Sequence, residues 1–441
     1  MSTKVLRFTV LWVVCFLGVG VLPVLAQERI DIDIFGPGQQ QLNMYSAPVT
    51  ALDVEQPGQA ALNLRKAILT NLDFLPFLSQ TPGSELLGGT ALNGVRKGEI
   101  DFKRFRLAQV DLLLSIGWQS QSDALGLVEL RLFDVFSQNV IVGKGYKIED
   151  REQVPLVADR FCAALLQELA GSGDFFRSRL AFVRQQGEGK NIWTVGPQGR
   201  DLHQVTRMEG VSMSPAWSWD TRRLVFTYLD ERRHRLGLWD RDAGQIKAMI
   251  LPGNTLISPV FTPQGEVVLS LDPYGNPDIF MLNEAWEIDT TVVQHWGIDI
   301  SPQFDAQGDT MVFVSSRLGN PHIFVRDMQS KEVQRVSFSG KYNTSPAMSP
   351  DGRFVAYSRR TENGHRIMVH DLESGESRQI TNGPGNDEEP TWAPDGYFLA
   401  FSSDRSGSYQ LYLTTRNGDS PKHIPTGSGA ATAPAWSPAF P

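Results

Sequence analysis

The chain has 441 residues, which is enough for two or three domains with their own hydrophobic cores. Charged residues make up 20% of it and aromatic residues 10%, so the composition is that of a globular protein rather than a disordered one. The formal net charge of −8 gives no reason to expect nucleic acid or an anionic membrane as a partner.

The first 26 residues have the pattern of an export signal. Lys4 and Arg7 precede an apolar run over residues 10–22, and Ala26 supplies a small residue for cleavage before Gln27. The apolar run is too short to span a bilayer comfortably, and an uncleaved anchor is the alternative. The sequence therefore predicts export, removal of residues 1–26 and a mature chain that does not insert into a membrane.

Residues 27–172 contain no repeat and predict a small α/β domain. The predicted elements are, in order, a strand at 29–34 with strict alternation, a helix through Ala61, Leu64, Ile68 and Leu72, a strand at 111–118, a hairpin of 125–136 and 140–146, and a helix through Val154, Val157, Phe161, Leu165 and Leu169. Cys15 would leave with the signal, so no intramolecular disulfide can form. Cys162, in the last helix, is predicted to be a core residue.

The rest of the chain is organised by a repeat of about 44 residues. Prolines fall at the separations 44, 43, 44, 44 and 44, at Pro215, Pro259, Pro302, Pro346, Pro390 and Pro434. In the clearest unit, residues 345–388, short strand patterns alternate with turns such as Ser349-Pro350-Asp351-Gly352. Four short strands in each period predict one blade of a β-propeller.

The sixth unit is cut short, because the chain ends soon after Trp436. The missing strands are predicted upstream of the first unit, at residues 179–183, 191–195 and 203–206. The sequence therefore predicts a mainly β protein in which residues 173–441 form a six-bladed β-propeller closed by its C-terminal strand. Such closure leaves no open sheet edge at the join.

No enzymatic centre is indicated by the sequence. A propeller peptidase would need an α/β-hydrolase domain with a Gly-x-Ser-x-Gly elbow, and metal hydrolysis would need clustered histidine and acidic ligands. The seven histidines are scattered, and His365 and His370 are predicted to be surface residues. The acidic residues 386–389 could bind a cation but are typical of a solvated loop. We therefore predict no catalytic residue, no metal and no cofactor. The alternative is an exported propeller that binds or cleaves a carbohydrate or peptide in its central funnel.

The mature chain resembles the TolB family, the periplasmic component of the Tol–Pal system. The resemblance lies in the export signal, the small α/β domain, the linking residues 173–183, the six proline phrases and the ending Pro434-Ala435-Trp436-Ser437-Pro438. It implies a periplasmic, non-enzymatic protein whose propeller binds the peptidoglycan-associated lipoprotein Pal and whose mature N-terminus contacts TolA. It also implies a role in drawing the outer membrane inward during cell division and in keeping that membrane intact.

The resemblance also implies two sets of partner-binding residues. The set expected to line the Pal face precedes the repeat prolines: Ser212, Ser214, Thr255, Ser258, Asp299, Ser301, Asn343, Ser345, Asp387 and Glu389. The set expected to contact TolA is Gln27, Glu28, Arg29, Ile30, Asp31, Ile32 and Asp33. The alternatives are that the polar side chains satisfy turn backbone and that residues 29–34 form a plain edge strand. Apart from these partners, the protein is expected to be monomeric.

Overall fold

The computed structural model describes residues 41–53, 56–121, 126–231 and 233–440. The predicted export signal, its cleavage site at Ala26 and Gln27, the strand at 29–34 and the TolA set Gln27–Asp33 lie outside the described residues. Within the described ranges, no helix is long and apolar enough to cross a membrane.

The N-terminal part of the described chain is a sheet of six strands packed with helices. The strands are β1 Leu42–Ser46, β2 Thr50–Ala51, β3 Leu78–Gln80, β4 Leu112–Ser120, β5 Gly126–Asp134 and β6 Val140–Ile148. The helices are α1 Gln59–Leu72, α2 Phe102–Leu107 and α3 Gln153–Ala170. The sheet order is β3-β1-β4-β5-β6, with β2 also paired to β4. Strands β1, β3 and β4 run parallel, whereas β4, β5 and β6 are antiparallel.

Periodicity located α1, β4, the hairpin and α3 correctly, because long apolar stretches determine them. Both long helices bury the faces that the sequence predicts, and Cys162 is a fully buried core residue. Burial among apolar groups raises the pKa of its thiol well above the usual range, so the thiol stays protonated. The sequence analysis missed β1, β3 and α2, which are too short to show a clear period.

Helix α3 ends at Gly171, whose φ of 80° lies in the left-handed region that favours glycine. The 3₁₀ turn Asp174–Arg177 then leads into the first propeller strand. The predicted domain boundary between residues 172 and 173 falls in this connection and remains a prediction.

The remaining strands form antiparallel groups of four. Blade 1 contains β7 Leu180–Gln186, β8 Gly189–Val195 and β9 His203–Gln204. Blade 2 contains β10 Val211–Trp217, β11 Arg223–Leu229, β12 His234–Asp240 and β13 Gln245–Met249. Blade 3 contains β14 Leu256–Phe261, β15 Val267–Leu271, β16 Asp278–Leu282 and β17 Ile288–Val293. Blade 4 contains β18 Asp299–Phe304, β19 Thr310–Leu318, β20 Asn320–Asp327 and β21 Val333–Arg335.

The last two blades follow the same plan. Blade 5 contains β22 Asn343–Met348, β23 Phe354–Thr361, β24 Gly364–Asp371 and β25 Ser377–Gln379. Blade 6 contains β26 Asp387–Trp392, β27 Phe398–Ser403, β28 Gln410–Thr415 and β29 Lys422–Ile424. The final strand, β30 Ala430–Trp436, pairs antiparallel with β7 and supplies the inner strand of blade 1. The strand pairing in the described residues is consistent with the six predicted blades.

The two ends of the propeller are joined by side chains as well as by strand pairing. The indole N–H of Trp436 donates to Ser178 Oγ at 2.6 Å, and its backbone N–H donates to Thr391 Oγ1 in blade 6 at 3.1 Å. The hydrophobic core is shared in the same way between neighbouring blades. One buried cluster contains Val268 and Ile279 of blade 3 together with Phe313 and Phe324 of blade 4. Each blade therefore depends on its neighbours for burial.

Each inner strand carries a bulge just before its proline. In β10, for example, the pairing with β11 shifts between Met213 and Ala216. The residue before each proline has a positive φ of 47–58°, and these residues are Ser214, Ser258, Ser301, Ser345, Glu389 and Ala433. A non-glycine residue in this region is strained, and a following proline restricts it further. Six repetitions of the same strained bulge therefore shape the centre of the propeller.

Candidate protein-interaction face of the propeller

One end of the propeller, which we call the rim face, collects the loops that precede the inner strands. In blade 3, Leu256 at the start of the inner strand pairs with Leu271 at the end of the second strand. The hairpin loop that follows Leu271 and the loop that enters β14 therefore lie at the same end. The other blades have the same strand order, so the predicted Pal residues belong to the inner strands and loops that begin at this face.

Five of the ten predicted Pal residues line a central channel. They are the positive-φ residues Ser214, Ser258, Ser301, Ser345 and Glu389, and Ala433 completes the set from blade 1. They line a cavity of about 410 Å³, together with repeat prolines and aromatic side chains. The structure therefore brings these five together, although they are as much as 175 positions apart in the chain.

Hydrogen bonds between blades hold this set of residues in place. The N–H of Ser301 donates to Ser270 Oγ of the preceding blade at 3.3 Å, and the N–H of Glu389 donates to Ser358 Oγ at 3.1 Å. The hydroxyl groups of Ser258 and Ser301 lie 3.4 Å apart. Buried Ser270 and Ser358 thus satisfy the backbone of the bulge residues across the blade boundary, while the bulge serines themselves line the channel.

Glu389 is the acidic member of the set. Its Oε2 accepts hydrogen bonds from the N–H of Ala433 at 2.6 Å and from Ser402 Oγ at 2.8 Å. Burial raises the pKa of the Glu389 carboxyl above its usual range, and these two hydrogen bonds oppose that rise. The carboxylate is therefore a link between blades 6 and 1.

Four other predicted residues do not line the channel. Ser212, Asp299, Asn343 and Asp387 each have 0% exposed area and sit two positions before the bulge residues. These side chains have no exposed area in this structure, so their direct contact with Pal stays a prediction that the structure does not support. The hydrogen bonds of Asp299, Asn343 and Asp387 connect strands and loops of the rim face.

The tenth predicted residue, Thr255, lies outside this pattern. It lies three positions before Ser258 rather than two, and buried Leu256 holds the equivalent position in blade 3. The backbone N–H of Thr255 donates to Asp272 Oδ1 at 2.7 Å, which ties two loops of the rim face together.

Arginines explain why buried carboxylates are tolerated here. Asp299 accepts from Arg317 Nη2 at 3.2 Å, and Asp387 accepts from Arg405 Nη2 at 2.7 Å. Both pairs are separated by 18 residues, and in both blades a serine stands two positions before the arginine. Arg405 also stacks over Phe401 and Tyr412, at 5.5 and 5.2 Å from the ring centroids. The sequence signal for these pairs is therefore an arginine 18 positions after the aspartate, with a serine two positions before that arginine.

Asn343 takes part in a related buried cluster. It accepts from Arg359 Nε at 3.2 Å, and its amide nitrogen lies 3.2 Å from Nδ1 of His322. Burial, reinforced by the neighbouring Arg335, lowers the pKa of His322.

A second histidine, His370, was expected at the surface but is also buried. Its Nδ1 lies 2.8 Å from Ser377 Oγ. Burial lowers the pKa of His370 as well.

Sequence reasoning missed a set of exposed apolar side chains on the same face. Tyr274, Trp296 and Phe338 are 75%, 68% and 72% exposed, and they project from loops of the rim face in blades 3 to 5. We call them, together with Ile250, Ile298, Leu318 and Tyr342, the rim patch. Exposed apolar groups concentrated in one region are typical of protein-interaction sites. The signal in the sequence was the occurrence of large aromatics in turns such as Asp272-Pro273-Tyr274-Gly275.

Neighbouring loops of the rim patch are connected. Asn276 Nδ2 donates to the carbonyl of Trp296 at 2.7 Å, and the N–H of Ile298 donates to Ser316 Oγ at 2.8 Å. The guanidinium of Arg335 lies 5.3 Å from the ring centroid of Phe338. These contacts hold the exposed rings on an ordered scaffold, which lowers the entropic cost of binding a partner.

The acidic residues 386–389, expected in a solvated loop, instead enter the inner strand of blade 6, where Asp387 is buried. Glu388 accepts from the hydroxyl of Tyr409 at 2.5 Å and lies 3.3 Å from His365 Nδ1. Across the described ranges, no three histidine, cysteine or acidic residues are placed to hold a metal ion.

The fold and this face define a β-propeller preceded by a small α/β region, of the type built from PD40 repeats. The family profile of the TolB beta propeller domain matches residues 166–440, more than half of the chain. The chain therefore belongs to the TolB family, a component of the Tol–Pal system and not an enzyme family.

Relatives carry the same family name. The chain is 44% identical to the Tol-Pal system protein TolB of Nitratidesulfovibrio vulgaris over 297 residues, which is 67% of each chain. It is 32% identical over 228 residues to that of Desulfosudis oleivorans, and this match spans 51% of each chain. A crystal structure of TolB from Acinetobacter baumannii superposes with a TM-score of 0.77 at 20% identity, covering 91% of this chain and 98% of that one. This last comparison shows a shared fold.

Proposed function

We propose that this chain is the periplasmic TolB component of a Tol–Pal system, and that its rim face binds Pal while its mature N-terminus binds TolA. In this role it supports inward movement of the outer membrane during division and the integrity of that membrane. The protein performs no chemistry on either partner and acts by joining them.

The observation that carries the proposal is the rim patch on the rim face. Tyr274, Trp296 and Phe338 are large, exposed and held by ordered loops, as the aromatic anchors of protein interfaces are. The bulge serines and Glu389 offer hydrogen-bonding groups at the centre of the same propeller. An exposed apolar patch surrounded by polar loops suits a protein partner.

Binding of TolA is proposed for Gln27–Asp33. Residues 29–34 alternate in the manner of a strand, and a terminal strand can pair with the sheet edge of a partner. Removal of residues 27–34 should abolish binding of TolA and leave binding of Pal intact. Equal TolA affinity with and without these residues would refute this part of the proposal.

The most direct test is calorimetric titration of the purified mature protein with the soluble peptidoglycan-binding domain of its Pal. We expect a one-to-one complex. The absence of both heat and complex at tens of micromolar would refute Pal binding.

A second candidate is a propeller that binds or cleaves a small carbohydrate or peptide in its funnel. Basic and histidine side chains in the funnel would favour it. The described lining of the channel is mostly proline, serine, alanine and aromatic residues, with the acidic Asp174 and Glu389, and it contains no arginine, lysine or histidine. This composition favours the interaction protein.

A further inference from the structure

A second cavity lies on another part of the molecule, where helix α3 meets blades 1 and 2. It has a volume of about 630 Å³, which is within the usual range for small-molecule sites. It is separate from the loops of the rim face and is lined by residues of α3, of the 3₁₀ turn Asp174–Arg177 and of the C-terminal tail. We call it the basic cleft.

Charge distinguishes the basic cleft from the rest of the protein. Five arginines line it, against two aspartates, on a chain whose formal net charge is −8. The arginines are Arg160, Arg177, Arg179, Arg200 and Arg241. An excess of positive charge in a cleft with apolar walls attracts ligands of the opposite sign.

Some of these arginines have structural partners, whereas others keep donors available. Arg200 pairs with Asp159, and Arg177 pairs with Asp174 at 2.7 Å. Arg179 uses Nη2 on the carbonyl of Asp201 at 2.5 Å. Its Nε and Nη1 have no acceptor among the described residues.

Arg241 also has donors to spare. Its Nη1 donates to Thr221 Oγ1 at 3.3 Å and its Nε donates to Asp242 Oδ1 at 3.4 Å, which leaves its Nη2 without an acceptor in the described part of the chain.

Burial lowers the pKa of Arg179, whose guanidinium has lost part of its hydration. Such a group gains more from a bound anion than one in bulk water.

Three aromatic rings in the apolar wall of the cleft pack against one another. Trp239 and Phe440 both meet Trp217 edge to face, with ring centroids 6.3 and 5.7 Å away. Arg241 lies over the Phe440 ring at 5.1 Å, which places a cation directly beside this wall. A flat or apolar body can therefore pack here while an attached anion reaches a guanidinium.

Trp217 supplies a further donor without a partner. Its side chain is 6% exposed, and its indole nitrogen has no hydrogen-bond acceptor among the described residues. The tryptophans at the equivalent position in other blades are satisfied, because Trp392 donates to the carbonyl of Ala347 at 3.1 Å and Trp436 donates to Ser178. A buried donor that lacks an acceptor is costly, so Trp217 is a strained part of the wall rather than a contact that a ligand must make.

We propose that the basic cleft binds a small carboxylate ligand with a flat apolar body. The carboxylate pairs with the free sides of Arg179 and Arg241, and the body packs on Trp239 and Phe440. This site is independent of the proposed binding of Pal and TolA, since it uses no residue of the rim face or of Gln27–Asp33.

The test is calorimetry with the full mature protein, using indole-3-acetate as the probe and its neutral isostere indole-3-acetamide as the matched ligand. The acetate should bind, and the acetamide should bind at least about tenfold more weakly, because it loses a charge-assisted interaction. The variant Arg241→Gln should weaken binding of the acetate by about tenfold. The control Arg353→Gln removes an exposed arginine of blade 5 and should change the affinity by less than about twofold.

Thermal melting of each variant shows whether it is folded. If Arg241→Gln melts at a lower temperature than the parent, Arg160→Gln replaces it, since Arg160 is exposed on α3 and its loss should leave the fold intact. That variant should weaken acetate binding by about threefold or more. No binding of indole-3-acetate at about 5 mM, equal binding of the acetamide, or unchanged acetate affinity in the folded variant would each overturn the proposal.

Discussion

The Glu389 carboxylate of blade 6 accepts a hydrogen bond from the backbone N–H of Ala433 in blade 1, at 2.6 Å. Ala433 lies in the last strand of the chain, which pairs with the first strand of the propeller. One side chain in the channel thus connects the last complete blade to the strand that closes the ring. The channel is therefore part of the closure as well as a candidate contact surface.

Replacement Glu389→Ala should destabilise the protein by about 1–2 kcal/mol, because Ala433 and Ser402 lose their acceptor. The loss is limited to this range because the substitution also removes the cost of burying the carboxylate. Glu389→Gln retains an acceptor oxygen and should cost less than about 0.5 kcal/mol. Urea denaturation measures both. Equal stability of Glu389→Ala and the parent would show that this contact contributes nothing to closure.

Replacement Asp387→Ala should cost about 3–5 kcal/mol, because Arg405, whose side chain is only 15% exposed, then loses its carboxylate partner. The double change of Asp387→Leu with Arg405→Met should recover much of that loss. Glu149→Ala, which removes an exposed ion pair with Lys147, is the control and should cost less than about 1 kcal/mol. If Asp387→Ala costs no more than this control in chemical denaturation, Asp387 does not support the rim face.

His322 should make stability depend on pH. Burial lowers its pKa in the folded state, so protonation favours the unfolded chain. Its contribution is therefore fully present above the unfolded pKa of about 6.5 and is lost progressively as the pH falls below that value toward the folded pKa. Between pH 7.5 and 5.5, the parent should lose up to about 1.4 kcal/mol more than His322→Gln.

Comparison of the two proteins at both pH values isolates this histidine, because all other titrating groups are common to both. Denaturation curves at pH 7.5 and 5.5 provide the four free energies. If parent and variant lose the same amount, the desolvation of His322 is not expressed in stability.

The positive-φ bulge makes Ser345 sensitive to the shape of its side chain. Ser345→Val places a β-branched residue in the left-handed region and should cost about 1–2 kcal/mol. The neighbouring Thr344 lies outside the set of positive-φ residues, so Thr344→Val is a matched control and should cost less than about 1 kcal/mol. Equal costs in chemical denaturation would contradict the importance of the bulge.

The sequence located the repeated prolines and the split blade, because turn chemistry and a fixed period are local signals. It could not separate Ser214, which lines the channel, from Ser212, which is buried two positions earlier. That difference depends on the bulge, which changes the direction of successive side chains and is not visible in composition. Thr255 lies three positions before the bulge residue Ser258, so Leu256 rather than Thr255 holds the buried position in blade 3.

The exposed part of the site was harder to predict than the buried part. Trp296 and Phe338 occur in loops far apart in the chain, and nothing local indicates that both remain exposed on one face.

The buried ion pairs were also hidden from local patterns. Asp299 and Arg317 form their pair across two strands, so the role of the aspartate depends on a partner 18 positions away. These features depend on the closed ring rather than on any single repeat.

The central claim, that the rim patch binds Pal, is tested most directly by calorimetry with the soluble domain of Pal and the variants Trp296→Ala and Phe338→Ala. Each should weaken binding by about tenfold or more, because exposed aromatic anchors carry much of the energy of an interface. Phe136→Ala removes a ring that is 58% exposed on the N-terminal sheet and should leave the affinity within about twofold of the parent. Parent-like affinity in both rim variants, or an equal loss in Phe136→Ala, would contradict the account.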